Sequence, residues 1–286
     1  MNKVTVVIPA YSNPNLLDKC FNSVVASRNK VDFDILIVND NPSNSEVCSW
    51  AENVSHHQGT RLITNLKNLG FSGAVNTGIS ASKGDVIILN SDTEVGESFV
   101  DKLAHIAELD PSIGTISTLT NNGTILSVPN YLQDTPISTH INIRKVEQKI
   151  HTALIQTKWF KKNQTIVARI PTPVGHALYI TRRAISRVGL FDQATFQQGY
   201  GEENDFGERV RHAEFQNVTA LNCFVLHRGA SSFGDSRRAL VKAHSKIIYR
   251  RYPMYRIKVA LFTHSNNVIK QLCSQISSIG NLGDFY

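Results

Sequence analysis

At 286 residues with 41% hydrophobic and 19% charged content, the chain holds enough apolar material for one large core with an appendage, and its 17 glycines and 9 prolines are too sparse for a fibrous or disordered polymer. No run reaches the roughly 18 to 20 apolar residues of a membrane span, and Met1-Asn2-Lys3 leads straight into the short stretch Val4–Ile8, so neither export nor membrane crossing is expected. The net charge of +7 calls for an anionic partner, whether nucleic acid, acidic lipid or a phosphate-bearing substrate.

Cys20, Cys48, Cys223 and Cys273 stand far apart with no CxxC spacing, which argues against a disulfide framework or zinc knuckle and for reduced thiols in a cytoplasm. Val4–Ile8 is a β-branched run closed by Pro9, and Ser12-Asn13-Pro14 supplies a cap and first-turn proline for a helix with apolar residues at Leu16, Leu17, Cys20, Phe21, Val24 and Val25. Ile35–Val38 reads as a second strand, Arg61–Thr64 as a third, Gly73–Ser82 as a short helix and Val86–Leu89 as a fourth strand. These apolar runs do not alternate, which implies an α/β architecture with a mostly parallel sheet covered on both faces.

A helix is expected from near Ser98, and Asn121-Asn122-Gly123 is a turn signal opening a less regular region to Lys162, within which Ile143–Phe160 reads as helical; this region is placed as an insertion near an acceptor. Ala177–Ile180 is then a strand, Arg182–Val188 and Glu202–Glu214 helices, and Val218–Val225 a strand ending near His227. Basic residues recur from Arg237 to Lys258, followed by Val259–Phe262 and by Val268, Ile269, Leu272 and Ile276 at helical spacing. They follow the polar motifs rather than forming a nucleic-acid-reading module, so nucleic acid is set aside. Peripheral contact with an anionic membrane, or packing against the rest of the chain, remain the two readings of that tail.

In a doubly wound sheet, ligands bind beyond the carboxyl ends of the strands. Those ends carry Pro9-Ala10-Tyr11, Asn39-Asp40-Asn41 and Asn90-Ser91-Asp92, three polar clusters converging on one crevice. Asp40 alone could cap a loop and Asp92 a helix; their co-occurrence on neighbouring strands is what marks them. Oxygen and imidazole donors suit magnesium or manganese, and Asp92 and His227 are the candidates here.

The ordered motifs Val4–Tyr11, Ile37–Asp40, Asn68–Ile79, Ile88–Val95 and Gly199–Phe206 resemble the nucleotide-sugar glycosyltransferases of family 2, especially bacterial O-antigen and capsule enzymes. The resemblance implies a GT-A fold, a Rossmann-like mostly parallel sheet flanked by helices. It would comprise a catalytic domain over 1–235, with a nucleotide-binding half at 1–120 and an acceptor and catalytic half at 165–235, followed by a basic helical extension over 236–286. It further implies inverting transfer of a sugar from a UDP- or dTDP-linked donor to a glycan or lipid-linked saccharide, with Mn2+ or Mg2+ as cofactor, in the cytoplasm or at the inner face of the cell membrane.

Carried over by position, the resemblance places Pro9, Ala10, Tyr11 and Asp40 on the nucleobase and ribose, and Gly70, Phe71 and Asn76 along the nucleotide. Asn90-Ser91-Asp92 stands at the Asp-x-Asp element, with Asn90 in place of its first acid, leaving Asp92 and His227 to the metal. Gly175 and His176 occupy the donor-sugar loop. Glu203 stands at the catalytic base, with Asp205 as the alternative, and Gly229–Gly234 would close over the diphosphate. Two rivals differ in kind: a sugar-nucleotide pyrophosphorylase, which would need a glycine-rich basic loop where Pro9–Asn13 stands, and a non-catalytic nucleotide-sugar-binding module, which would be expected to lack Glu203 or Asp92. No GxGxxG follows the first strand, so a dehydrogenase is excluded.

Overall fold

The computed structural model describes residues 3–133, 141–197, 199–229 and 234–279. In chain order the N-terminal half runs β1 (Val4–Ala10), α1 (Pro14–Ala26), β2 (Phe33–Asn39), α2 (Ser45–Ser55), β3 (Thr60–Thr64), α3 (Gly70–Ser80), β4 (Val86–Leu89), β5 (Thr93–Val95), α4 (Phe99–Leu109) and β6 (Ile113–Thr120). There follow α5 (Ile143–Gln156), α6 (Lys158–Asn163), β7 (Val167–Arg169), β8 (Ala177–Ile180), α7 (Arg182–Val188), α8 (Glu202–His212), β9 (Gln216–His227), α9 (Gly234–Arg251), α10 (Tyr255–His264) and α11 (Val268–Ile279).

Local chemistry explains the boundaries. Asn13 sits in the left-handed region at φ 55° and accepts the Leu16 amide, with Pro14 at the first turn of α1. Asn44 accepts the amides of Glu46 and Val47 to start α2, whose Val47, Trp50 and Ala51 at helical spacing are buried. The reading that passes from the second strand to the third misses this helix. It also misses β6, because Ile113–Thr120 mixes apolar residues with Thr115, Ser117, Thr118 and Thr120, all buried. Their hydroxyls are satisfied inside, Thr115 by Asn217 at 2.7 Å and Thr118 by His176 at 2.8 Å.

One mixed sheet runs β3-β2-β1-β4-β8-β6-β9-β5, with β7 also paired to β9. β3, β2, β1 and β4 are mutually parallel, so the ends of β1, β2 and β4 open on one edge. β8 enters antiparallel between β4 and β6, while β6 and β9 run parallel. One core layer packs α1, α2 and α4 on one sheet face, and a second packs α3, α7 and α8 on the other.

A third core joins α5 and α11 to β9: Val146, Ile150, Ala153 and Leu154 meet Val268, Ile269, Leu272 and Ile276. Of the two readings of the tail, the helix-spaced apolar residues of α11 thus serve packing and are not available to a membrane. The boundary drawn near residue 235 likewise separates elements that share cores. No helix among the described residues is long and apolar enough to cross a membrane.

Leu272 is fully buried in this third core. Leu272→Ala should therefore lower stability by about 2–5 kcal/mol, the usual cost of such a cavity. A urea midpoint equal to wild type would show that α11 is not part of the cooperative unit.

Candidate active site

One side of the crevice is built on Asp40. The residue is 3% exposed, its amide donates to the Ala10 carbonyl at 2.8 Å, and its Oδ1 accepts the Asn65 amide at 2.7 Å and the Leu69 backbone N–H at 2.9 Å. Asp40 thereby ties the ends of β1, β2 and β3 to the start of α3. Pro9 and Ala10 are buried in the end of β1, whereas Tyr11 is exposed at the mouth. Gly70 has φ 73°, and a Cβ there would collide with the Gln197 carbonyl, so glycine is required at this close approach. Phe71 is half-buried beside it. Asn76, expected to line the nucleotide, instead uses both ends of its amide on the Phe191 backbone, at 3.0 Å each, and braces α3 against the loop after α7.

Beyond β4, Asn90 donates its backbone N–H to the His176 carbonyl at 2.9 Å, Ser91 is half-buried, and Asp92 precedes β5. β5 pairs antiparallel with β9 in the register Thr93 to His227, and the Arg228 amide donates to the Asp92 carbonyl at 2.9 Å. The Asp92 carboxylate and the His227 ring consequently face each other, Oδ2 to Nε2 at 3.4 Å. His227 Nδ1 lies 2.8 Å from the Asn122 carbonyl, which only an N–H can satisfy, and this contact turns Nε2 toward Asp92. Asn121 grips the same residue, accepting the His227 N–H at 2.8 Å and donating to its carbonyl at 2.9 Å.

His176 stacks on His227 with ring centroids 5.7 Å apart. Burial, reinforced by the neighbouring His227, holds its imidazole well below the usual histidine range, so it is neutral. Its Nδ1 and the Asn90 Oδ1 are buried without a protein partner. An imidazole nitrogen with its other N–H fixed by a carbonyl, an aspartate and two unsatisfied polar atoms make a donor set suited to a divalent cation. Among the described residues no group of three or more His, Cys, Asp or Glu side chains placed to hold a metal ion comes together.

The acidic motif opens α8. Gly199, Tyr200 and Gly201 all have positive φ, at 89°, 64° and 129°, a turn that swings the helix start into the crevice. Glu203 Oε2 accepts the Gly201 N–H at 3.3 Å, and Glu202 lies beside it within hydrogen-bonding reach, its Oε2 buried without a backbone or cationic partner. Burial pushes both carboxyls up, Glu202 further because Glu203 adds like charge. Asp205 is different. One of its oxygens accepts Arg209 at 2.8 Å, and the other accepts Arg251 and the Tyr252 hydroxyl at 2.9 Å each.

Gly175-His176 connects the two chemical groups. A Cβ at Gly175 would lie 3.7 Å from Glu203 Cγ, while the next residue stacks on His227. The fold therefore brings Asn90, Asp92, Gly175, His176, Glu203 and His227 together, with Asp40 beyond the end of β2. Sequence reasoning missed Asn65, Thr118, Asn121, Asn122, Arg251 and Tyr252. Asn121 and Asn122 carried a signal, read only as a turn. Of the expected diphosphate closure, Ala230–Phe233 lie outside the described residues.

Residues 5–176 match the family described as Glycosyl transferase family 2. The chain belongs to that family. Its fold is that of the GT-A structures it superposes on, and the pyrophosphorylase reading falls away. Among relatives, it is 30% identical over 105 residues to Glycosyltransferase GlyA of Streptococcus pneumoniae, covering 36% of this chain and 14% of that protein. It is 25% identical over 130 residues to Dolichol-phosphate mannosyltransferase of Pyrococcus furiosus, covering 45% and 37%. Over 239 residues it is 23% identical to O-antigen biosynthesis protein RfbC of Myxococcus xanthus, covering 82% of this chain and 18% of that protein. The chain thus spans well under half the length of the curated relatives it matches. Among solved structures, it superposes on GalNAc-T7 with UDP, GalNAc and Mn2+ at TM-score 0.62 and 16% identity, covering 97% of this chain and 55% of that one. It superposes equally, at TM-score 0.62 and 14% identity, on mannosyltransferase PcManGT from Pyrobaculum calidifontis in complex with GDP-Man and Mn2+, covering 99% and 77%.

The partners of Asp205 give this family 2 chain a separable prediction. Asp205→Asn leaves Arg209 without its carboxylate and Arg251 with Asp192 alone, and should lower stability by about 1–3 kcal/mol, moderated because both arginines reach solvent. Urea denaturation reads this directly. Loss of turnover at unchanged stability would instead place proton transfer on Asp205.

Proposed function

We propose that the protein is an inverting glycosyltransferase that moves a sugar from a UDP- or dTDP-linked donor to a glycan or lipid-linked saccharide in bacterial surface polysaccharide synthesis. The observation that carries this reading is the junction at Gly175-His176, where Glu203 on one side and the Asp92–His227 pair on the other flank one space. The names of GlyA and RfbC support the bacterial polysaccharide setting, and the Mn2+ in the two neighbouring structures supports a cation.

In this reading Asp40 and the α3 start hold the nucleotide, with Asp40 hydrogen-bonding the pyrimidine. Asp92 and the Nε2 of His227 would hold Mn2+ or Mg2+, with Asn90 adjacent, and the remaining ligands would be phosphate oxygens and water. A cation bound there supplies positive charge against the departing diphosphate. Asn121 and Asn122 keep His227 in the right tautomer and place. Glu203 takes the acceptor hydroxyl proton as the acceptor oxygen attacks the anomeric carbon from the side opposite the leaving group, which inverts the configuration. Asp205 is assigned to holding α8 in place rather than to proton transfer.

A panel of nucleotide sugars, scored for turnover with manganese, tests this reading. Asp92→Ala and excess chelator should each remove most activity with the fold intact, and Glu203→Gln should lower turnover about 10²–10⁴-fold while preserving donor binding. Full activity in chelator, or in Glu203→Gln, would sink the corresponding assignment.

A lipid-linked acceptor would place the enzyme at an anionic cytoplasmic membrane face, and α9 and α10 suit that surface. No aspartate or glutamate occurs from Ser236 to Ile279. Met254, Ile257 and Leu261 are 57%, 48% and 68% exposed at helical spacing along α10, near the exposed Arg250 and Arg256. Replacing these three apolar residues by serine should weaken sedimentation with phosphatidylglycerol vesicles at low salt. Equal binding by wild type and variant would remove α10 from the contact.

A further inference from the structure

Glu202 has no task in the reaction as described, yet it is a carboxyl 5% exposed at the centre of the crevice wall, with an oxygen that meets no donor from backbone or cation. Two adjacent buried carboxyls cannot both carry charge without large cost, so one of them holds a proton. The surroundings are not symmetric. The Gly201 N–H reaches both carboxyls, but its 3.3 Å hydrogen bond goes to Glu203 Oε2, whereas Glu202 Oε2 meets no donor. Among the described residues, Arg209 and Arg251 are engaged by Asp205, and Arg211 and Lys258 by Glu208.

We propose that Glu202 is a positioning residue that remains protonated and donates its carboxyl hydrogen to Glu203, so that the pair begins each turnover holding a single proton. This rests on reading Glu203 as the base. The acceptor O–H bond breaks as its proton moves to Glu203, the acceptor oxygen bonds to the anomeric carbon, and the donor's bond to the diphosphate breaks. The pair then holds two protons and returns one to solvent. Glu202 keeps Glu203 ionised at a pH where an isolated carboxyl buried here would already be neutral, and it fixes which oxygen of Glu203 faces the acceptor.

Other titratable groups pack around the pair. On α9, His244 donates its Nδ1–H to the carbonyls of Gly199 at 2.9 Å and Tyr200 at 2.8 Å, which holds the turn ahead of the pair. On α10, the Tyr255 hydroxyl lies 3.5 Å from Thr172, and burial pushes it far above the usual tyrosine range, so it stays neutral. Tyr200 lies in the turn itself. α3 and the loop before β8 contribute the uncharged Phe71 and Gly175.

The sign of the pH effect follows. Glu203 works only when ionised, so turnover falls as pH drops through the first ionisation of the pair. Removing the donor raises the Glu203 pKa and moves this acid limb to higher pH. Glu202→Gln retains an N–H donor, so its acid limb should stay within about twofold in proton concentration of wild type, with turnover within about threefold. Glu202→Leu should move the limb upward by about tenfold in proton concentration, a shift of one pKa unit. Infrared difference spectra of the full chain, with manganese and UDP but no acceptor, provide a readout independent of activity. A deuterium-sensitive protonated-carboxyl band should be present at neutral pH, absent in Glu202→Gln and retained in Glu203→Gln. A band that survives Glu202→Gln but disappears in Glu203→Gln would put the proton on the wrong residue and overturn the proposal, as would a Glu202→Leu acid limb identical to wild type. Full turnover by Glu203→Gln would remove the base assignment instead, with the infrared bands still reporting which carboxyl holds the proton.

Discussion

The pairing of Thr93 with His227 decides which side chains beyond the ends of β5 and β9 can meet, because a one-residue slip between strands turns every side chain to the opposite face. In the observed register Asp92 and His227 confront each other, and the Arg228 amide closes the ladder on the Asp92 carbonyl. β5 is only three residues long and could not hold that register alone. Arg228 reinforces it through Glu94, at 2.6 Å, and Asn121 extends it by pairing with the His227 backbone as a neighbouring strand would. The site is thus fixed by backbone pairing, and the side chains inherit their geometry from it.

Six buried side-chain oxygen or nitrogen atoms among the described residues lack a hydrogen-bond partner, and three of them, Asn90 Oδ1, His176 Nδ1 and Glu202 Oε2, lie in this one crevice. Each costs free energy in the isolated protein, so their concentration there marks a surface arranged for something other than the resting fold. Elsewhere in the same region the balance is the reverse. Asp205 and Glu208 accept two cations each, one turn apart on α8, while Glu202 in the first turn accepts none. Stability in the body of the helix offsets strain at its start.

Much of the frame was legible because its signals are local. Val4–Ile8 is β-branched throughout, Ile35–Val38 and Val86–Leu89 are uninterrupted apolar runs, and the helix read over Arg182–Val188 has those bounds, capped by Thr181 and Gly189. β6 was not legible, since its threonines and serine look solvent-facing until Asn217, Val174 and His176 arrive from distant positions to satisfy them. α2 was overlooked although its Asn44 cap and Val47-Trp50-Ala51 spacing were present. In the crevice, motif order singled out Asp40, Asp92, Glu203 and His227. The residues that hold them in place come from elsewhere in the chain, Asn65 25 positions beyond Asp40 and Asn121 106 before His227, and no local pattern announces a partner at that separation. Asn76 shows the opposite error: a polar residue inside a motif was read as a ligand contact when its amide is spent on backbone.

Arg251 and Tyr252 reach Asp205 from the far end of α9, and His244 on the same helix holds the carbonyls of the turn that precedes Glu202. The chain beyond residue 235 is consequently not a detachable tail. Exchanging it for the corresponding segment of another family member would remove the outer supports of the acidic turn together with the tail. Hybrid enzymes built by joining a donor-binding half to a foreign C-terminal segment should therefore be cut elsewhere, at a joint that keeps α8, α9 and the turn between them from a single parent.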